Sequence, residues 1–136
     1  GSLWSTLQHG KNVKSVSGKV VKPRQVVGPM RPGLKIAYSG DTRSTRSLVK
    51  LAEGADLLVH EATLMDDLAE KAKRDGHSTP SQAAQIAKKA GVKRLILTHV
   101  SARYRDVAPM LKEARKIFKA TDVAEDFMTL ELEASE

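Results

Sequence analysis

After residue 34 the chain carries three short apolar runs, at 35–39, 56–60 and 94–98, each with a polar rim and an unbroken apolar centre. Runs of four to eight such residues, bounded by turn signals, predict strands buried on both faces. Helical spacing fills the gaps. Leu48, Leu51 and Ala52 share one face of a helix that should stop at Gly54, and Leu64, Leu68 and Ala72 mark a second, from 64 to 74, ending at Gly76. A third has the best start signal in the chain: Thr79-Pro80-Ser81-Gln82 fits a capping box with proline at the first helical position. Its apolar stripe is Ala83, Ile86, Ala87 and Ala90, and Gly91 closes it. Val107, Met110, Leu111, Ala114, Ile117 and Phe118 outline a fourth helix, and 127–132 reads as a last strand. Strand–helix alternation of this kind predicts an α/β fold with a largely parallel or mixed sheet.

Residues 1–33 break this rhythm, being rich in glycine and proline. Segments 19–22 and 25–27 flank Pro23 and predict an edge hairpin, followed by a loop over 28–33. The expected organisation is therefore an irregular lead-in over 1–33 and a main body over 34–136.

Composition narrows the class. The 136 residues are 40% hydrophobic and 29% charged, an ordinary globular balance that argues against disorder. Cysteine is absent, which excludes disulfides and thiolate metal sites. No apolar run reaches the roughly 18–20 residues of a membrane helix, and no signal-peptide stretch opens the chain, so a cytoplasmic location is expected. The net charge of +7 favours a polyanionic partner. The chain opens on Gly1-Ser2 without an initiator methionine, the expectation for a piece of a longer product.

In open α/β sheets ligands bind beyond the carboxyl ends of the strands. Here the three runs end in Ser39-Gly40-Asp41-Thr42, His60-Glu61-Ala62-Thr63 and Thr98-His99-Val100-Ser101. Asp41 and His99 have the chemistry of ligands for zinc or a similar divalent ion, although Asp41 would serve equally well as a helix cap and His99 as a structural histidine. His77, before Ser78 and Thr79 at a helix start, is placed to meet phosphate and to protonate a leaving oxygen, or is simply a loop residue. Glu61 could orient such a histidine or be a solvated turn residue. Arg43, Arg46, Arg103 and Arg105 follow strand ends, where guanidinium groups clamp phosphates. With one Trp, two Tyr and two Phe, an aromatic stacking platform has little material, and sugar-phosphate recognition fits better. His9 and His60 add no histidine cluster, so the metal arithmetic yields half a site.

Four motifs in order, Gly40-Asp41-Thr42-Arg43, His60-Glu61-Ala62-Thr63, Gly76-His77-Ser78-Thr79 and Leu97-Thr98-His99-Val100-Ser101-Ala102-Arg103-Tyr104, resemble the carboxyl-terminal half of ribonuclease Z, the endonuclease that trims precursor tRNA at its 3′ end. The resemblance covers essentially the whole chain. It implies a metallo-β-lactamase fold, an αββα sandwich of which this chain would supply one sheet-plus-helices half. It further implies two zinc ions per complete active site, with Asp41 bridging both and His99 holding one. His77 would protonate the leaving 3′ oxygen, Glu61 would accompany it, and Ser78, Thr79, Arg103 and Arg43 would lie at the phosphate.

The family's H-x-H-x-D-H motif is absent, as are its further amino-terminal histidine ligand and its protruding arm. The resemblance therefore implies a missing amino-terminal half as partner, a half-site only, and no activity for this chain by itself. The sheet face that meets that half would be left uncovered, which predicts a homodimer. Two other classes compete: a non-catalytic basic RNA-docking module, and another metallo-β-lactamase-fold phosphodiesterase acting on small substrates.

Overall fold

The computed structural model describes residues 2–28 and 33–133. They fall into two compact units, one within residues 1–33 and one from Leu34 onward.

The first unit holds α1 (Ser2–Gln8) and a two-stranded antiparallel hairpin, β1 (Val13–Lys14) with β2 (Val20–Val21). The hairpin lies upstream of the one expected from the sequence. Its turn is closed where the Gly18 N–H donates to the Ser15 carbonyl at 2.9 Å, and Gly18 has φ +79°, a conformation that favours glycine. Pro23 does not flank a second strand. It opens a short 3-10 turn, Pro23–Gln25, because its fixed φ and missing N–H suit a helical first position better than a ladder. Part of the expected 28–33 loop, residues 29–32, lies outside the described residues.

The second unit is a four-stranded, all-parallel sheet in the order β3 (Ile36–Tyr38), β4 (Leu57–Glu61), β5 (Arg94–Thr98) and β6 (Thr121–Val123). The connections are helical: α2 (Arg46–Ala52), α3 (Ala69–Asp75) with α4 (Pro80–Ala90), and α5 (Ala108–Arg115). Register puts Ala37, Leu58 and Leu95 in one row, and these residues, with Leu97, form the core with Leu48, Ala52 and Ala114 and the apolar side of α4. Ala83, Ala84 and Ala87 are fully buried, so α4 packs closely; each buried leucine contributes about 1.5–3 kcal/mol. The capping box at Thr79 forms, and α3 and α4 close on left-handed glycines, Gly76 and Gly91.

Several expectations are corrected. The first run is not buried on both faces: Ile36 is 58% and Tyr38 65% exposed, because β3 is the last strand on its side among the described residues. Leu51 points outward from α2, whose buried positions are Leu48 and Ala52. Leu64 lies outside any helix; a 3-10 turn, Asp66–Leu68, leads into α3. α5 ends at Arg115, before Ile117 and Phe118. The last strand is Thr121–Val123, not 127–132. Asp122 hides it in the sequence, yet Arg94 Nη2 at 2.8 Å and Arg115 Nη2 at 2.9 Å neutralise that carboxylate. No described helix is long and apolar enough to cross a membrane.

Candidate metal and phosphate site

Parallel strands end together. The loops after β3, β4 and β5 therefore meet at one edge of the sheet. After β3, Gly40 takes φ +59° and turns the chain, bringing the Asp41 carboxylate Oδ1 to 3.2 Å from His99 Nδ1. After β5, His99 itself takes φ +53°, a conformation uncommon outside glycine and concentrated at functional positions. Its ring centre lies 5.5 Å from that of His77, which the α3–α4 connection delivers. Asp41, His77 and His99 each offer a ligand atom within 4.8 Å of the others. One carboxylate oxygen and two imidazole nitrogens are a donor set suited to zinc or a similar divalent ion.

Beneath this trio sits Glu61, only 1% exposed at the end of β4. Its Oε1 accepts the Thr42 N–H at 3.0 Å, the Ser78 N–H at 3.1 Å and His77 Nδ1 at 3.0 Å. Its Oε2 accepts the Thr63 N–H at 3.0 Å and the Thr63 hydroxyl at 2.8 Å. One carboxylate thus ties three loops together. Burial pushes its acidity the other way, yet the hydrogen bonds from the Thr63 hydroxyl and the amides of Ser78, Thr42 and Thr63 prevail and hold Glu61 below the usual glutamate range.

An ionised Glu61 sets the hydrogens around it. As acceptor only, it makes His77 Nδ1 a donor and leaves His77 Nε2 with a free lone pair. Thr63 gives its single hydroxyl proton to Glu61, so its oxygen accepts from His99 Nδ1 at 2.9 Å. His99 Nε2 is freed in the same way. A carboxylate or hydroxyl behind the ring is the usual means of orienting a ligand imidazole. His60, on the opposite sheet face, is fully buried: its Nδ1 donates to the Glu61 carbonyl at 2.6 Å, and its Nε2 has no partner among the described residues. Burial lowers its pKa against the raising effect of the Glu61 carbonyl and charge, so it stays neutral.

Of the residues singled out in the sequence, Asp41, His77, His99 and Glu61 converge. Ser78 and Thr79 are adjacent but turned inward. The Ser78 hydroxyl donates to the Thr42 carbonyl at 2.7 Å, and Thr79 caps α4. Arg43 is exposed and donates to the Arg74 carbonyl at 3.3 Å, at the end of α3. Arg103 is exposed and makes no hydrogen bond or ion pair among the described residues. Sequence reasoning missed Thr63 as a member of the site, although a threonine two residues beyond a strand-end glutamate is a local hydrogen-bonding signal.

Residues 4–100 match the beta-lactamase superfamily domain. Relatives include the Ribonuclease Z of Methanothermobacter thermautotrophicus, 48% identical over 98% of this chain and 43% of its own length. That of Salinibacter ruber is 48% identical over 100% of this chain and 42% of its own. Among solved structures, human tRNase Z, short form, is 41% identical, with a TM-score of 0.56 over 80% of this chain and 35% of that one. The metallo-beta-lactamase fold protein YhfI of Bacillus subtilis is 30% identical, with a TM-score of 0.61 over 66% of this chain and 36% of its own. The chain spans less than half the length of the curated relatives it matches. With the parallel sheet, the strand-end site and residues 4–100 all in agreement, the chain belongs to the beta-lactamase superfamily and has the metallo-β-lactamase fold.

Proposed function

We propose that this chain is one half of a zinc-dependent endoribonuclease that removes the 3′ trailer from precursor tRNA and leaves a 3′-hydroxyl on the tRNA. The observation that carries this reading is the convergence of Asp41, His77 and His99 above the Glu61 clamp, at the strand ends of a chain similar to ribonuclease Z. Asp41 and His99 would hold zinc. When bound, such ions supply positive charge to the scissile phosphate and lower the pKa of water.

The remaining roles fall to the chain's own groups. His77, oriented by Glu61 at Nδ1, would serve the leaving 3′ oxygen as general acid through Nε2 once that nitrogen has taken up a proton. Arg103 and Arg43 meet phosphates with exposed guanidinium groups. Ser78 and Thr79 serve the phosphate through the loop their buried hydroxyls shape. Glu61 acts as a positioning residue, since its oxygens are already occupied by protein donors.

Asp41 and His99 make only part of a two-metal centre, so the partner is the missing amino-terminal half of the same enzyme. Without it, exposed Ile36 and Tyr38 on β3 promote pairing of two copies. The compartment of this reaction is the cytoplasm. Incubation with precursor tRNA and zinc tests the reading: the chain alone should not cut, and a fusion to the amino-terminal half of a related ribonuclease Z should. Cleavage by the chain alone, abolished by Asp41→Ala, would overturn the half-enzyme reading; an inactive fusion would overturn the nuclease assignment.

A further inference from the structure

The positive charge of this protein is unevenly placed. Residues 1–33 contain six Lys and Arg and no Asp or Glu, whereas residues 34–136 contain 17 basic and 16 acidic side chains. Nearly the whole excess therefore sits in the first quarter of the chain. Five of the six, Lys11, Lys14, Lys19, Lys22 and Arg24, are among the described residues, and all five are exposed. None of them makes an ion pair among the described residues. Folded surfaces normally intersperse the two signs; a compact unit of one sign carries self-repulsion that a bound polyanion relieves.

The same unit has a groove of about 500 Å³ between α1 and the hairpin, lined by Trp4, Leu7, Val13, Lys14 and Val21. Trp4, the sole tryptophan of the chain, is 50% exposed there. A half-exposed indole and a lysine lining one groove match a nucleotide, which offers a flat base to one and a phosphate to the other. An acidic peptide would satisfy the lysines and leave the indole without a planar partner. One tryptophan is a single stacking position, not a platform, so the fitting ligand is a backbone with one unpaired base at this point.

We propose that residues 2–28 form an RNA-docking surface in addition to the site at the strand ends, with its lysines and Arg24 on phosphates and Trp4 stacked on an unpaired base. The choice of RNA rests on the endoribonuclease reading above; the surface itself rests on charge and geometry.

Trp4 reports on its own site. The 136-residue chain is titrated in EDTA with a 12-nucleotide single-stranded RNA, following tryptophan emission and, with a labelled copy, anisotropy. Emission should be quenched with the same midpoint as the anisotropy rise. The slope of log K against log salt should lie at about −2 to −3, as for three or four neutralised phosphates on a single strand. Lys14→Glu with Lys19→Glu should weaken binding about tenfold or more and flatten the slope by about 1.4. Trp4→Ala should cost about tenfold in anisotropy, and Trp4→Phe should restore most of it. Lys112→Glu with Lys116→Glu, on and just after α5, should change little.

An anisotropy rise without quenching, indifferent to the unit's substitutions, would overturn the surface while leaving the nuclease reading intact. Absence of RNA binding at low salt would also overturn it, and quenching by polyglutamate as strong as by RNA would reassign it to an acidic protein. The nuclease reading is judged separately by cleavage in the fusion enzyme, so the two failures are distinguishable.

Discussion

The floor and the rim of the strand-end site are built on opposite principles. Glu61, the floor, is buried and accepts hydrogen bonds from three loop amides, one hydroxyl and one imidazole. Asp41 and His99, at the rim, leave about half of each side chain open to solvent and touch each other at 3.2 Å. Burial with full satisfaction fixes geometry, because every donor left without its acceptor is costly. Exposure leaves a group free to exchange its partner for a ligand. The floor therefore belongs to the folding energy of the protein, and the rim to its chemistry.

Removing the floor should have the largest effect on folding. Glu61→Ala strands three amide donors and should destabilise the chain by at least about 3 kcal/mol in urea unfolding. Glu61→Gln keeps one accepting oxygen and should cost about 1–3 kcal/mol. If Glu61→Ala unfolded at the same urea midpoint as Asp41→Ala, the distinction between floor and rim would be gone.

Acid should act on the same floor from both sides of the sheet. His60 is held neutral in the folded protein by burial, so the unfolded chain binds more protons. The stability it supports is complete above its ordinary value of 6.5 and is lost as pH falls from there toward its depressed folded value. Glu61 has the same sign at lower pH: its contribution is complete above 4.5 and is lost as pH falls through its lowered folded value. Urea midpoints measured from pH 8 to pH 3 should fall in two stages, and His60→Leu should remove the first.

At the rim the expectation reverses. Asp41→Ala should move folding stability by no more than about 0.5 kcal/mol, as for an exposed surface substitution. In titration calorimetry it should nevertheless lower zinc affinity more than about tenfold, since even the outer hydrogen-bond partner of a ligand is worth that much. A destabilised Asp41→Ala with unchanged zinc binding would exchange the roles assigned to the two layers. The smallest change in stability is expected at the exposed side chains of β3. Ile36→Ser with Tyr38→Ser on β3 should leave the urea midpoint nearly unchanged and shift sedimentation toward monomer; a monomeric parent chain would remove the pairing proposal.

Much of this architecture is legible in the residues. Three apolar centres mark β3, β4 and β5, and the Thr79–Gln82 box marks the start of α4, since burial and capping act over a few neighbours. The residues mislead where a distant partner decides the outcome. Asp122 reads as a loop residue until Arg94 and Arg115 neutralise it, and the apolar look of 127–132 finds no strand to pair with among the described residues. Phe127 instead takes φ +65° and stands exposed.

For the site, the sequence by itself determined the chemical groups and their position at strand ends: Asp41, Glu61, His77 and His99 each follow or close an element whose local signals are strong. Only the tertiary structure decided that Glu61 is a clamp and not a solvated turn residue, that Thr63 links it to His99, and that the Ser78 and Thr79 hydroxyls turn inward. The reason is physical. Periodicity and capping are short-range and written in adjacent residues, whereas the acceptors of a buried carboxylate's neighbours are chosen when loops from positions 42, 63 and 78 close on one point in space.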